Sequence, residues 1–130
     1  MSCMALAVKL CSEMCLMLVE ADEAGLDMYQ FFPGRCELFR GGTLKCMAMD
    51  GDSIESGGET YTVTMYAACG SDCYLICEVH DGEGGCGTYS AHIPMHTASA
   101  IRRDLSVQAE TIMAAVRERP PFYMPACISI

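Results

Sequence analysis

Residues 60–68 read TYTVTMYAA. The alternation is strict, with Tyr61, Val63, Met65 and Ala67 on one side of an extended chain and Thr60, Thr62, Thr64 and Tyr66 on the other. Period two in β-branched and aromatic residues predicts a strand with one buried face. Residues 73–80, CYLICEVH, repeat the pattern, setting Cys73, Leu75, Cys77 and Val79 opposite Tyr74, Ile76, Glu78 and His80. A Gly and Asp cluster separates the two segments, as in an antiparallel meander.

Working outward from this pair, residues 36–40 and 43–50 flank Gly41-Gly42, whose glycines suit a tight hairpin turn. Residues 88–93 add a fifth strand to these four. The acidic, glycine-bearing segments 50–59 and 81–85 read as loops between strands. Helical patterning takes over at both ends. Residues 3–24 contain no Gly or Pro, and Lys9, Ser12, Glu13, Glu20 and Glu23 form one narrow polar stripe on an otherwise apolar helix. An aromatic connection follows at 27–34. After Pro94 a second helix is expected, capped by Thr97 or Ser99, with Ile101, Leu105, Ala109, Ile112 and Val116 on one face and a stop at Pro120-Pro121. The apolar tail 122–130 is expected to pack on its own subunit or a neighbour. The order predicts one α+β domain over residues 1–130: an antiparallel sheet of four or five strands with the N-terminal and C-terminal helices on one face.

Composition narrows the function classes. Hydrophobic residues make up 52% of the chain and charged residues 19%, more apolar surface than a small monomer readily hides. The formal charge of −9 repels phosphate backbones and anionic lipid heads, so neither nucleic acid nor a membrane is an expected partner. The longest stretch without Asp, Glu, Lys or Arg, residues 84–101, holds two histidines, a proline and several glycines and does not read as a membrane span. The N-terminus lacks a signal-peptide layout, because Lys9 and Glu13 interrupt its apolar run. The ten cysteines are therefore expected as cytoplasmic thiols that pack as small hydrophobes.

Several clusters carry residue types that could do chemistry. Cys69, Cys73, Cys77, His80, Cys86, His92 and His96 lie close in sequence, but Cys73 and Cys77 on one strand sit about 13 Å apart, too far to share a zinc ion. No metal and no cofactor is expected. Cys86 stands in Gly84-Gly85-Cys86-Gly87, where glycines could free N–H groups for an oxyanion and His80 or His92 could act as base; it is the one catalytic candidate, and an incidental cysteine is the commoner event. Asp50-Gly51-Asp52-Ser53-Ile54-Glu55 opens like a calcium loop but lacks the glycine at its sixth position and the glutamate at its twelfth. His92 and His96 read as loop histidines.

With no motif carrying catalysis, the expected function is non-enzymatic: a small acidic binding protein acting as a homo-oligomer, most simply a dimer. Its interface is expected on Leu10, Met14, Met17 and Leu18 of the over-apolar first helix, with another protein as a further partner. The alternative is an apolar small-molecule site or small enzyme with a pocket between helices and sheet, lined by Tyr61, Met65, Met47, Leu75, Cys77 and Met113.

Overall fold

The computed structural model describes residues 2–28, 31–32, 36–38 and 43–104. Helix α1 spans Cys3–Glu23, and Ser2 caps it by accepting a hydrogen bond from the Ala5 N–H at 3.1 Å. Its end is equally defined. Gly25 adopts φ +74°, and the Leu26 and Gly25 N–H groups donate to the Ala21 and Asp22 carbonyls, the left-handed cap that glycine makes cheap. Five strands follow, β1 Cys36–Leu38, β2 Leu44–Ser56, β3 Glu59–Cys69, β4 Cys73–Asp81 and β5 Cys86–His92. They pair antiparallel in sequence order. Residues 95–104 are helical and form the described part of α2.

The core lies between the sheet and the helices. Tyr61, Val63, Met65 and Ala67 of β3 are buried beside Leu75, Cys77 and Val79 of β4, on the face the alternation assigns to them. Cys3, Leu6, Ala7, Cys11, Leu18 and Ala21 of α1 close over that face, chiefly above β4 and β5. Ala98, Ala100 and Ile101 of α2 join the same cluster, with Met28 and Phe32 from the aromatic connection at its margin. Each fully buried large apolar side chain contributes about 1.5–3 kcal/mol. The layered α+β arrangement expected from the sequence is the one observed, and β5 runs from Cys86 rather than from residue 88.

Three expectations need correction. Residues 50–56 are strand and not loop: β2 runs to Ser56, and the β2–β3 connection is only Gly57-Gly58, at φ +61° and +81°. Register shifts between Met47 and Met49 and between Asp50 and Asp52, with Gly51 at φ +71°, break the alternation. This outer part of the hairpin is largely exposed, so polar residues populate strand there. Second, α2 starts earlier than expected. Thr97 is buried within it and donates to Asp22, while the Ser99 hydroxyl donates back to the Met95 carbonyl, so neither caps the helix. Third, not all ten cysteines are thiols. Cys69 and Cys73 are register partners across the β3–β4 turn with Cα atoms 4.0 Å apart, and they form a disulfide. The Gly41-Gly42 turn, residues 105–116 of the predicted helical face, Met113 and the tail 122–130 lie outside the described residues.

The closest approach of helix and sheet occurs at Gly87. A Cβ built there would stand 2.6 Å from the Cys3 carbonyl carbon and 2.6 Å from Met4 Cα, both backbone atoms. The Gly87→Ala variant is therefore expected to lose about 1–3 kcal/mol by overpacking, read as a lower midpoint in urea. Gly82→Ala, whose added methyl meets nothing within 4 Å, should stay near wild type. Equal midpoints for the two variants would show that α1 does not rest on β5 in this way.

Candidate functional site

The turn joining β4 to β5 places the catalytic candidate of the sequence, Cys86. Asp81 organises this turn. Its carboxylate accepts from the Glu83 N–H at 2.8 Å and the Gly85 N–H at 2.7 Å, while its own N–H donates to the Gly85 carbonyl. Those two amide hydrogen bonds hold the Asp81 carboxyl below its ordinary value, against partial desolvation. The Gly85 amide is thus spent on Asp81, and Asp81 also fills the space a Cβ at Gly85 would need. Cys86 is exposed and is the register partner of His80 on β4. His92 stands at the far end of β5, six residues away or about 20 Å. There it contacts Tyr74 edge-on, ring centroids 5.2 Å apart, and lies 3.6 Å from Asp72. The structure thus brings one of the two bases beside Cys86.

The other thiols sit differently. Cys3, Cys11, Cys46 and Cys77 are buried, and burial pushes Cys77 up to about 11 and raises Cys3 and Cys11. The Cys3 thiol points at Asp81, and the Cys11 thiol donates to the Leu75 carbonyl at 3.2 Å. Among the described residues no three of His, Cys, Asp and Glu converge as a metal site would require. Cys69 and Cys73 of the Cys/His cluster are engaged in the disulfide.

Of the expected pocket residues, Tyr61, Met65, Leu75 and Cys77 are packed shut in the core. Tyr61 donates to Glu59 at 2.8 Å, and that hydrogen bond together with burial lifts its hydroxyl to about 12. Met47 pairs with Tyr66 and so lies on the opposite face of the sheet, where Lys45 stands 4.3 Å from the Tyr66 ring centroid. The sequence pattern missed this because the β2 register shifts move the alternation from one face to the other between Met47 and Met49.

Two open hollows are present among the described residues. One, about 420 Å³, lies where α1 meets α2 and is lined by Asp22, Gly25, Leu26, Asp27, His96, Arg103 and Asp104. Its acids are structural. Asp22 accepts from Thr97 and meets His96 at 2.5 Å, and Asp104 accepts from the Met28 N–H and from Arg103. Although burial opposes its charge, these donors keep Asp104 below its ordinary value. His96 lies in α2 and His92 ends β5, so neither is a loop residue. The second hollow, about 260 Å³, is lined by Glu59, Thr60, Asp81, Gly82 and Glu83 at the hairpin tips.

The expected interface residues of α1 divide. Leu18 is buried inside its own chain and cannot face a second copy; Leu10 and Met14 are half-buried against the core. Met17 is half exposed. Helical geometry accounts for the split, since Leu18 falls on the same side as Ala7 and Cys11. No protein-family model, no curated protein and no solved structure matches the chain, and among the described residues no helix is long and apolar enough to cross a membrane.

Two outcomes follow from this geometry. Limited alkylation of the native protein should label Cys86 ahead of Cys11, Cys46 and Cys77, as peptide mass spectrometry will read; comparable labelling of Cys77 would contradict its burial. Asp81→Ala should lower the Tm at neutral pH. Because the folded-state value of Asp81 is depressed, its contribution is complete above the unfolded-state value and fades as pH falls through and below 3.8. The Tm gap between wild type and variant should narrow over that window, and a constant gap would assign the turn's stability to something other than the carboxylate charge.

Proposed function

We propose that this chain is a non-enzymatic binding protein that works as a homo-oligomer, with a dimer as its simplest form. The observation that carries this reading is the apolar surface left on α1. Met4, Leu16 and Met17 are about half exposed and Val8 more than a third, all on the one helix that also supplies six core residues. Leu26 and Met95 extend the exposed apolar set beyond that helix. Scattered apolar residues are ordinary on a surface, but several on one helix of an acidic chain mark contact with another macromolecule. With −9 formal charge, that contact is protein rather than nucleic acid. Among the described residues, Asp81, Asp22 and Asp104 are engaged in holding a turn, a helix contact and the segment after α1.

Self-association is the economical form of such a contact, because the same surface of the chain then serves both sides of a two-fold interface. Native mass spectrometry of the purified protein is expected to give an integer multiple of the 14.1 kDa chain mass. A bare monomer at micromolar concentration overturns the oligomer. Retained non-protein mass would replace this reading with that of a small-molecule binding protein.

A further inference from the structure

We infer that two copies of this chain join through the open edge of β5, which pairs antiparallel with its symmetry mate to continue the sheet across the dimer. This rests on the homo-oligomer reading above and specifies its interface. The two edges of the sheet differ. On one side β1 is three residues long and carries the exposed Glu37, the usual protection of an edge. On the other, β5 is seven residues long, CGTYSAH, with no Asp, Glu, Lys, Arg or Pro and no break in its register with β4. It falls within the uncharged stretch 84–101, which the core alone does not explain. Among the described residues no strand pairs with its outer side.

The backbone groups that face outward can be named. The Asp81 N–H donates to the Gly85 carbonyl and the Ile93 N–H to the Cys73 carbonyl, so both ends of the β4–β5 ladder are in phase. Alternation then turns the N–H and C=O groups of Gly87, Tyr89 and Ala91 toward β4, and those of Cys86, Thr88, Ser90 and His92 outward. Apart from the His92 carbonyl, which meets the Cys15 thiol at 3.9 Å, these groups have no backbone partner among the described residues, and such a row selects an extended chain as its occupant.

The strand's own sequence selects a second copy. With the two-fold axis at Tyr89, Thr88 meets Ser90, Gly87 meets Ala91 and Cys86 meets His92 of the partner strand, so every outward group is paired and no carboxylate opposes a carboxylate. For a chain of −9 charge this is where two copies meet without repulsion. The helix layer agrees. The Cys15 thiol lies 3.9 Å from the outward His92 carbonyl, so that flank of α1 stands above the open edge. Helical spacing puts Met4, Val8 and Val19 on the same flank. Met4 and Val8 are exposed, and so is Tyr89 on the helix side of β5. The two-fold that pairs the strands brings these two flanks face to face in antiparallel register.

The test uses proline where it removes no backbone hydrogen bond between β4 and β5. Ser90→Pro removes an N–H that points away from β4, so the monomer keeps its ladder while the intermolecular one is interrupted. Native mass spectrometry and sedimentation should show a dimeric wild type and a variant whose dissociation constant rises by about a hundredfold, with unchanged circular dichroism. Tyr89→Cys serves as the second variant, since it puts one thiol per copy on the axis at a Cα separation of about 4.5 Å, within disulfide reach. Mild oxidation should give a covalent dimer joined at position 89, a result that stands even where Ser90→Pro fails to fold. A dimeric Ser90→Pro protein, or an oligomeric wild type whose Tyr89→Cys variant does not cross-link at that position, overturns the β5 interface and leaves self-association standing. A monomeric wild type removes both.

Discussion

The contact on which the rest depends is the seating of the α1 backbone on Gly87. Without a side chain at that position, the first turn of the helix comes down onto β5, with Cys3 and Met4 directly above it. From there Ala7 and Cys11, both small and fully buried, keep the axis low along the sheet, and Leu18 and Ala21 close the far end. Small residues let a helix lie close, and close packing recovers the dispersion energy that a larger gap would forfeit. The route of α1 over β4 and β5 follows from this, and so do the sides of the helix that remain for a partner.

Soft side chains fill much of this core. Met28, Met65, Cys11, Cys46 and Cys77 occupy positions where branched aliphatic residues are common, and burial raises the Cys11 and Cys77 thiols and so favours their neutral form. Among the described residues, carboxylates gather donors at the Asp81 turn, at Asp22 near the end of α1, at Asp104 beside the Met28 N–H and in the Tyr61–Glu59 pair. In each case a carboxylate receives N–H or O–H donors from the local backbone or side chains. Such arrangements stabilise a fold. The Gly85 amide is the clearest example, since it lies beside Cys86 and is committed to Asp81.

Edges complete the account. An antiparallel sheet must end somewhere, and this one ends in a short charged-flanked strand on one side and a longer neutral strand on the other. Like charges spread over a surface repel one another, and the longer edge strand carries none. The charge distribution and the hydrogen-bonding geometry thus point to the same strand.

Residue type and period alone determined the element order, the buried face of β3 and β4, and the boundaries of α1, because alternation and helical spacing are properties of consecutive residues. The fifth strand was visible too, though not its first two residues. Local pattern did not reach the extension of β2 to Ser56, since two register shifts and solvent exposure remove the alternation that marks a strand. It did not reach the disulfide either, which depends on Cys69 and Cys73 meeting across a turn. Only the tertiary structure decided that Leu18 faces inward while Met17 faces out, that Met47 lies on the opposite face from Met65, and that Asp81 holds the amide beside Cys86. These depend on which element lies against which, a fact that no single stretch of the chain contains.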